Sequence, residues 1–248
     1  MATKKKVGVK VPTLNEITRK YGGMIVRASD TKDAKLWLPS TFFALNYALG
    51  GGIPYGKVAE IAGEESSGKS LIAYNFAYAC QQLGGHVIWV DAEQSWMNTW
   101  AEANGVDPNG VTVIQDTRIE YVSDVVADLA IYWRSQLVNN EPILLVVDSI
   151  AAMDCADNID SKMADGKAEM GGRAKALYKY FRIRSELFAK LGVTQIYINQ
   201  LRTALNVGFG KDNTTTTGGA ALKFYASIRM AFYAGKSITV KSKGKERK

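Results

Sequence analysis

The sequence predicts an α/β protein with a mainly parallel, twisted β-sheet that is covered by helices. Three observations support this fold class. Apolar strand-like runs alternate with helical segments and lack polar residues at every second position. A glycine-rich motif lies between one such strand and a helix, and acidic or amide residues directly follow several strands. With 248 residues, 47% hydrophobic and 22% charged, the chain can form one domain with a sizeable core.

The first forty residues are predicted to form a separate segment. Residues 1–10 show no regular pattern, Val11–Tyr21 is predicted as a short helix, and Met24–Arg27 as a short strand. Because one helix and one strand cannot bury themselves, they must pack on the body of the protein or on a neighbouring chain. The predicted organisation is a helix–strand oligomerisation segment (1–40), a core (41–243) and a basic tail (244–248).

The core is predicted to contain alternating strands and helices. Glycine or asparagine pairs end several of the helical patterns. The strands are predicted at Leu36–Pro39 (extended), Lys57–Ala62, His86–Asp91, Val111–Ile114, Ile143–Asp148 and Thr194–Asn199. The helices are predicted at Thr41–Leu49, Leu71–Cys80, Tyr121–Leu137 and Arg173–Leu191.

Gly63–Ser70 fits the pattern G-x-x-x-x-G-K-[ST] of a phosphate-binding loop. Its glycines let consecutive backbone N–H groups point at phosphate oxygens, Lys69 can reach the β- and γ-phosphates, and Ser70 can bind Mg²⁺. The alternative is a glycine-rich turn with a solvated lysine, but the preceding strand and following helix argue against it. The predicted phosphate-binding residues are Gly63, Glu65, Ser66, Ser67, Gly68, Lys69 and Ser70.

Acidic residues at strand ends are the candidates for the chemistry beside this loop. Asp148 follows a continuous apolar run and is expected to hold Mg²⁺ through water beside Ser70, or else to cap a helix with Ser149. Glu93 is the best candidate to activate a water molecule, and Asp91 is a weaker one. Glu93 could also be a cap or a solvated acid. Trp100 could stack on an adenine or belong to the core.

Charge, cysteines and hydropathy exclude several classes of protein. The net charge is +7, but residues 1–10 and 241–248 carry +4 each, so the body is close to neutral. Such ends attract polyanions or improve solubility. Two cysteines without metal-ligand spacing fit a reduced, cytosolic setting, and a single histidine excludes a histidine-based triad. The apolar runs are too short to span a bilayer, so no membrane partner is expected.

Several segments together closely resemble bacterial RecA recombinases. They are Gly63–Ser70, Val90–Glu93, Val146–Met153, Ile198–Arg202, Thr215–Gly219 and Ala221–Ser227. The resemblance runs from about residue 13 to residue 243. It implies a RecA-like ATPase core that uses ATP and Mg²⁺, forms helical filaments on single-stranded DNA and exchanges strands with a homologous duplex.

The resemblance also implies roles for individual residues. Glu93 would activate water, Gln200 would sense the γ-phosphate and pass its state to the following loop, and Asn199 would support Gln200. A strand-end turn is the alternative reading of the Asn199–Gln200 pair. In this family a neighbouring subunit contributes two lysines to the ATP site, and Lys241 and Lys243 resemble that pair. The stretch of sequence from Phe224 to Lys241 is shorter than expected in the family. A solvated tail is the alternative for these lysines.

Two segments are expected to contact DNA. Leu201–Thr217 is predicted as a loop of about 17 residues that holds phosphate and wedges apolar side chains between bases. In Asp154–Gly172 the acidic part does not suit phosphate, so the contact is assigned to its end. A solvated helix face is the alternative for the basic residues Arg173, Lys175, Lys179 and Arg182. The predicted DNA-binding residues are Met170, Gly171, Gly172, Arg173, Lys175, Arg202, Leu205, Val207, Phe209, Thr216, Thr217, Gly218 and Gly219.

The sequence departs from the family pattern in two places. Glu64 stands where proline is expected, which a variable position tolerates. The sequence also ends just after Lys243, without the separate carboxy-terminal domain, and so resembles a minimal core of a bacterial cytoplasmic or phage-encoded recombinase. Two other functions fit the same core: a DNA-coating or regulatory protein without strand exchange, and a ring-forming helicase-type motor.

Overall fold

The structure is a computed structural model, and the chain divides into two compact units, Met1–Lys35 and Leu36–Lys248. It describes most of the second unit and a short part of the first. For residues 202–203, 214–216, 240–242 and 245–247 it describes the backbone only. The described residues are 12–22, 25, 36–160, 171–203, 214–216, 220–233, 235, 240–242 and 245–247.

The described part of the first unit is one short helix, α1 (Leu14–Lys20). It begins with a capping box in which Thr13 accepts a hydrogen bond from the Glu16 backbone N–H (3.3 Å). The Thr13 backbone N–H donates in turn to the Glu16 carboxylate (2.8 Å). This confirms the predicted helix within Val11–Tyr21. The predicted strand Met24–Arg27 lies outside the described residues except for Ile25.

The second unit is built around a mainly parallel six-stranded sheet, as predicted, with the order β5-β4-β6-β7-β3-β9. All five pairings along this path are parallel. Two short strands form a separate antiparallel pair, β1 (Trp37–Leu38) with β2 (Ile53–Pro54). The sheet strands are β3 (Val58–Gly63), β4 (His86–Asp91), β5 (Val111–Ile114), β6 (Ile143–Asp148), β7 (Val193–Thr203) and β9 (Ile228–Phe232).

Helices cover both faces of the sheet, because the central strands are apolar on both sides. In β6, Leu144 and Val146 face a core cluster with Phe76 of α3, whereas Ile143 and Leu145 face a second cluster with α5 and α7. Within the part of the chain that the structure describes, no helix is long and apolar enough to cross a membrane. The helices of this unit are α2 (Phe43–Ala48), α3 (Lys69–Gln82), α4 (Asn98–Ala103), α5 (Ile119–Gln136), α6 (Ala156–Asp160), α7 (Gly172–Leu191) and α8 (Ala221–Tyr225).

The edge strand β9 was not predicted, although its sequence carries a signal for it. Ile228, Met230 and Phe232 are partly buried, while Arg229 and Ala231 between them are exposed. This alternation is typical of a strand that is covered on one face. The strand lies beside β3, directly under the phosphate-binding motif.

The prediction of a loop over Leu201–Thr217 is wrong at both ends. β7 continues to Thr203 and pairs with a further antiparallel strand, β8 (Thr214–Thr216), so these residues form the stem of a β-hairpin. The physical reason is that threonine is β-branched and favours extended backbone, which outweighs its polarity. A second hairpin, β10 (Val240–Ser242) with β11 (Lys245–Arg247), includes part of the segment predicted as a basic tail.

Candidate nucleotide site and nucleic-acid interface

The phosphate-binding motif joins the end of β3 to the start of α3. Gly68 precedes the helix with φ +91°, a left-handed conformation that favours glycine. Lys69 donates a hydrogen bond from Nζ to the Glu64 carbonyl oxygen (2.5 Å), so its ammonium group lies across the mouth of the loop. The helix N-terminus and the lysine together give the loop the positive potential that a phosphate chain needs.

Gly63 is required for close approach rather than for an unusual backbone angle. A Cβ atom at this position would lie 2.5 Å from Ser67 Oγ and 2.6 Å from the Phe232 carbonyl oxygen. Ser67 Oγ itself is buried without a hydrogen-bond partner among the described residues. A buried hydroxyl that lacks a partner is unfavourable, and a phosphate oxygen in the loop would satisfy it. The residues of the loop therefore fit a phosphate group.

Asp148 ends β6 and hydrogen-bonds to the Ser70 side chain. Burial raises its pKa from 3.8 to about 6, while the bond to Ser70 opposes this rise and the neighbouring Glu93 and Asp91 add to it. A carboxylate next to the Ser70 hydroxyl of a phosphate-binding loop fits a Mg²⁺ ion that is held mainly by phosphate and water. In the described parts of the chain, no group of three or more His, Cys, Asp or Glu residues could hold a metal ion. Mg²⁺ would thus use Ser70, phosphate and water, with Asp148 acting through water, as Mg²⁺ commonly does.

Glu93 and Gln200 lie together although they are 107 positions apart in sequence. Gln200 Nε2 is 3.5 Å from Glu93 Oε1, and the Ser149 hydroxyl also donates to this oxygen. The backbone N–H groups of Ala92 and Glu93 donate to the Asp148 carbonyl oxygen (2.9 and 3.3 Å), which ties the Glu93 turn to β6. An exposed carboxylate oriented by a hydroxyl and an amide is arranged to accept a proton from water. Sequence reasoning missed the contact between Ser149 and Glu93.

The strand order explains why these side chains converge. β7 lies between β3 and β6, and Gln200 is level with Gly63 in the register of β3 and β7. β4 is the other neighbour of β6, with Asp91 level with Asp148. Since all of these strands are parallel, their carboxyl ends meet at one edge of the sheet. The predicted grouping of Lys69, Ser70, Glu93, Asp148 and Gln200 is present at that edge.

Asp91 and Trp100 have different surroundings: Asp91 is buried and hydrogen-bonded, whereas Trp100 is about half exposed. Asp91 is fully buried, and its carboxylate accepts hydrogen bonds from the backbone N–H groups of Ser95 (2.8 Å) and Trp96 (3.1 Å). Asp91 therefore holds the turn before α4, which leaves Glu93 as the candidate base. The Trp100 side chain on α4 is 48% exposed, so it does not belong to the core and its ring is open to a stacking partner.

Several residues predicted to contact DNA are described at the amino-terminal end of α7. Gly171 precedes the helix with φ +95°, and Gly172 is its first residue. Arg173 is half-buried and donates from Nη2 to the Ile150 carbonyl oxygen (3.5 Å), whereas Lys175 is exposed. Arg202 and Thr216 lie in the hairpin stem. Met170, Leu205, Val207, Phe209, Thr217, Gly218 and Gly219 lie outside the described residues.

The exposed side of α7 forms a basic and aromatic groove, here called the α7 groove. Helical spacing places Lys175, Tyr178, Lys179 and Arg182 on one face, opposite buried residues such as Phe181. The groove has a volume of about 460 Å³ and includes Tyr225 of α8. The residues that line it are Ala174, Lys175, Tyr178, Lys179, Arg182 and Tyr225. Sequence reasoning assigned Lys175 to DNA contact, with a solvated helix face as the alternative for the basic residues, and missed both tyrosines.

The candidate lysine pair is only partly described. Lys241 lies in β10, opposite Glu246 of β11, and Lys243 is outside the described residues. The prediction that a neighbouring subunit contributes them to the site stays a prediction.

Comparison with known proteins identifies the family of the chain. The family model of the RecA N-terminal domain matches residues 9–247. Among curated proteins, Protein RecA of Picosynechococcus sp. is 36% identical over 219 residues, which cover 88% of this chain and 60% of the relative. Protein RecA of Gloeothece citriformis (38%) and of Arthrospira platensis (39%) match the same share of this chain and 59% and 57% of their own lengths. The chain thus spans about 60% of the length of these relatives. With this match over nearly its whole length, the chain belongs to the RecA family.

Proposed function

We propose that this protein is a DNA-dependent ATPase that forms filaments on single-stranded DNA and pairs it with a homologous duplex. The observation that carries the proposal is the meeting of Glu93 and Gln200 at the sheet edge beside the phosphate-binding loop. A protein that only bound nucleotide would need the loop but not a carboxylate that is positioned by an amide and a hydroxyl. Family membership adds support, since the curated relatives are named Protein RecA.

In the proposed mechanism, backbone N–H groups of Gly63–Ser70 hold the phosphates. Lys69 leaves the Glu64 carbonyl oxygen and turns to the β- and γ-phosphates. Ser70 would hold a Mg²⁺ ion, with Asp148 acting through water, and the ion would supply positive charge to balance the phosphates. Trp100 stacks on the adenine. Each of these groups positions the nucleotide without changing its own bonds.

Hydrolysis then depends on a proton transfer from water. Glu93 takes a proton from the attacking water, whose oxygen bonds to the γ-phosphorus while the bond to the leaving ADP oxygen breaks. Ser149 and Gln200 keep the Glu93 carboxylate oriented. Lys241 and Lys243 of a neighbouring subunit stabilise the negative charge that develops, which makes hydrolysis depend on assembly.

DNA is proposed to bind along the α7 groove and at the β7–β8 hairpin. Three bases in the groove can neutralise backbone phosphates, and Tyr178 and Tyr225 offer aromatic surface for bases. The backbone N–H groups at the start of α7 add further phosphate contacts. Because Gln200 and the hairpin stem belong to the same strand, a bound γ-phosphate can change the position of the hairpin.

Filament formation is proposed to use α1, whose residues are not buried. A helix of seven residues is not stable by itself and needs a packing partner. The proposed partner is a neighbouring subunit. The resulting filament would work in the cytoplasm on single-stranded and duplex DNA.

The first test measures ATP turnover with and without single-stranded DNA, followed by microscopy with a non-hydrolysable ATP analogue and a strand-exchange assay. We expect DNA-stimulated turnover, helical filaments and joint molecules. Lys69→Ala should lose ATP binding. Rings instead of filaments would indicate a helicase-type motor, and filaments without exchange would indicate a coating protein. Absence of turnover under all conditions would contradict the ATPase itself.

The second test compares two exposed lysines of α7. Lys179 lines the α7 groove, whereas Lys190 lies near the other end of the helix and pairs with Glu186. In fluorescence anisotropy with a labelled oligonucleotide, Lys179→Gln should weaken binding and reduce the slope of log affinity against log salt by about 1. Lys190→Gln is the matched control and should bind as the parent does. Equal binding by both variants would exclude the groove.

A further inference from the structure

Glu60 is a buried acid in the strand that leads to the phosphate-binding loop. It lies in the middle of β3 with 0% of its surface exposed. In the register of the sheet it is level with Tyr197 of β7 and Arg229 of β9. Burial of an ionised carboxylate is costly unless it is paired and hydrogen-bonded. No step of the proposed hydrolysis uses this charge, so its presence needs another explanation.

The two oxygens of Glu60 bind two different partners. Oε2 accepts a hydrogen bond from Arg229 Nε (2.6 Å), and Oε1 accepts one from Asn199 Nδ2 (2.9 Å). The Arg229 side chain is 47% exposed, so one end of this chain of contacts reaches the surface. The other end leads to the candidate sensor, because the Gln200 backbone N–H donates to Asn199 Oδ1 (2.9 Å).

The chemistry of these groups fixes the direction of each hydrogen bond. A guanidinium only donates and an ionised carboxylate only accepts. Glu60 must therefore face the NH₂ end of the Asn199 amide, which turns the oxygen of Asn199 toward the Gln200 N–H. With the opposite orientation of Asn199, two N–H donors would face each other at Gln200. The charge on Glu60 thus selects one of the two orientations of a buried amide.

We propose that Glu60 and Arg229 are positioning residues for Gln200, acting through the orientation of Asn199. The proposal rests on the proposed function of Gln200 as the sensor of the γ-phosphate. The Gln200 side chain begins at a backbone held by this chain of hydrogen bonds and ends 3.5 Å from Glu93. Displacement of a positioned group by about 1 Å can lower a rate about 10²-fold. Loss of the orientation should therefore reduce turnover and the nucleotide-dependent gain in DNA affinity, and leave ATP binding in place.

A purely structural role for the Glu60–Arg229 pair makes a different prediction. In that case the ion pair only holds β3 to β9, and its loss should lower stability, nucleotide binding and turnover together. A set of substitutions that preserves or reverses donors and acceptors separates the two roles.

Glu60→Gln alone should break the hydrogen-bond network that runs from Arg229 through residue 60 and Asn199 to the Gln200 N–H. Arg229 only donates, so the new amide turns its oxygen toward Arg229 and its NH₂ group toward Asn199. Asn199 must then present its oxygen to residue 60 and its own NH₂ to the Gln200 N–H, and that hydrogen bond is lost. We expect kcat to fall about tenfold or more, with little change in the KM for ATP.

The exchange variant Glu60→Gln/Asn199→Asp should restore the network. Arg229 donates to the oxygen of the new amide at position 60, and the NH₂ group of that amide donates to the new carboxylate at position 199. This carboxylate also accepts from the Gln200 N–H, so each of these three donors again meets an acceptor. We expect kcat and the nucleotide-dependent gain in DNA affinity to return to within a few-fold of the parent, because the two substitutions compensate within one hydrogen-bond network. If only the ion pair mattered, the exchange variant would stay as impaired as Glu60→Gln.

The measurements are steady-state ATP turnover, oligonucleotide anisotropy with and without an ATP analogue, and thermal unfolding. Lys190→Gln, which removes an exposed ion pair, is the control and should match the parent. If Glu60→Gln does not fold, Asn199→Asp replaces it as the broken partner, because it sets two carboxylates against each other. A folded exchange variant that is no better than the broken single variant, or a single variant equal to the parent, overturns the proposal. Failure of the proposed function would look different, since the parent itself would then lack turnover or nucleotide-dependent DNA binding.

Discussion

The central strands have polar groups at both ends, and their surroundings differ. The amino-terminal ends of the strands form one edge of the sheet and the carboxyl ends form the other. At the amino-terminal edge, the His86 ring at the start of β4 stacks on Trp133 with 3.5 Å between ring centroids and hydrogen-bonds Thr112 Oγ1 (2.9 Å). The nearby Cys80 thiol donates to the backbone carbonyl oxygens of His86 and Pro142. At the carboxyl edge, Asp148 and its acidic neighbours lie beside a loop whose Ser67 hydroxyl lacks a partner among the described residues.

This difference separates a structural edge from a functional one. At the first edge, burial lowers the pKa of His86 from 6.5 to about 4 and raises that of Cys80 to about 12, so both groups stay neutral and satisfied within the protein. At the second edge, burial raises the pKa of Asp148 to about 6, and the neighbouring Glu93 and Asp91 add to this rise. The first edge is complete without a ligand, whereas the second is suited to Mg²⁺ and phosphate.

The largest expected effect is on catalysis at the carboxyl edge. Glu93→Gln keeps the shape of the side chain but cannot accept a proton, so we expect turnover to fall about 10²–10⁴-fold with ATP binding retained. Glu102→Gln on nearby α4 is the matched control, because Glu102 is exposed. Single-turnover hydrolysis and nucleotide titration provide the measurement. Equal turnover by Glu93→Gln and Glu102→Gln would show that the carboxylate is not the base.

Two glycines allow the same change to be made at both edges. In Gly63→Ala the new Cβ would meet Ser67 Oγ and the Phe232 carbonyl oxygen, and in Gly85→Ala it would clash with the Pro142 carbonyl oxygen. Each variant should lose about 1–3 kcal/mol of unfolding free energy in a denaturant titration. Only Gly63→Ala should also lose nucleotide affinity. A loss of affinity in Gly85→Ala at a temperature where it is folded would contradict the separation of the edges.

The pH dependence of stability should have opposite signs at the two edges. In nucleotide-free protein, Asp148 keeps its proton up to about pH 6 when folded but only to about 3.8 when unfolded. The folded state binds more protons in this window, so its contribution to stability falls as pH rises from about 4 to about 6, by on the order of 2 kcal/mol. Asp148→Asn should remove this fall. The measurement is urea unfolding across pH, and an unchanged profile would contradict it.

His86 should give an effect of similar size and of the other sign. Its pKa is lower in the folded protein (about 4) than in the unfolded chain (6.5), so the unfolded state binds more protons between these values. Its contribution to stability is complete above pH 6.5 and is lost as pH falls toward 4, by on the order of 3 kcal/mol. His86→Gln should remove this loss, so the stability of the variant relative to the parent should rise as pH falls from about 6.5 to about 4. A steeper loss in the variant than in the parent would contradict the assignment.

Sequence reasoning predicted the central strands well, because continuous apolar runs bounded by glycine, proline or acids leave little choice. The bounds of β4, β5 and β6 agree with the prediction at every residue. Sequence reasoning failed where local composition and tertiary pairing disagree. It missed the threonine-rich strand β8 and the edge strand β9, which contains an arginine. The grouping of Glu93, Asp148 and Gln200 was predictable from parallel strand ends, and the position of Lys69 from the phosphate-binding motif.

The supporting contacts of the site could not be predicted in the same way. In the sequence, Glu60 is one polar residue within a predicted strand, and nothing near it indicates its partners. These partners, Asn199 and Arg229, lie 139 and 169 positions later. Their contact depends on the strand order, which brings β7 and β9 to the two sides of β3. No local pattern encodes that order. The contact of Ser149 with Glu93 likewise depends on the pairing of β4 with β6.

The continuity of β7 has a consequence for how the chain can evolve. Gln200 and the hairpin stem that begins at Leu201 are consecutive residues of one strand, with no linker between them. Successive residues of a strand face opposite sides, so the face on which the Gln200 side chain lies fixes the face on which each stem residue lies. A single inserted or deleted residue at this junction would reverse every face of the stem relative to Gln200. Only insertions or deletions of an even number of residues would keep each stem residue on its face, so we expect changes of one residue to be absent at this junction.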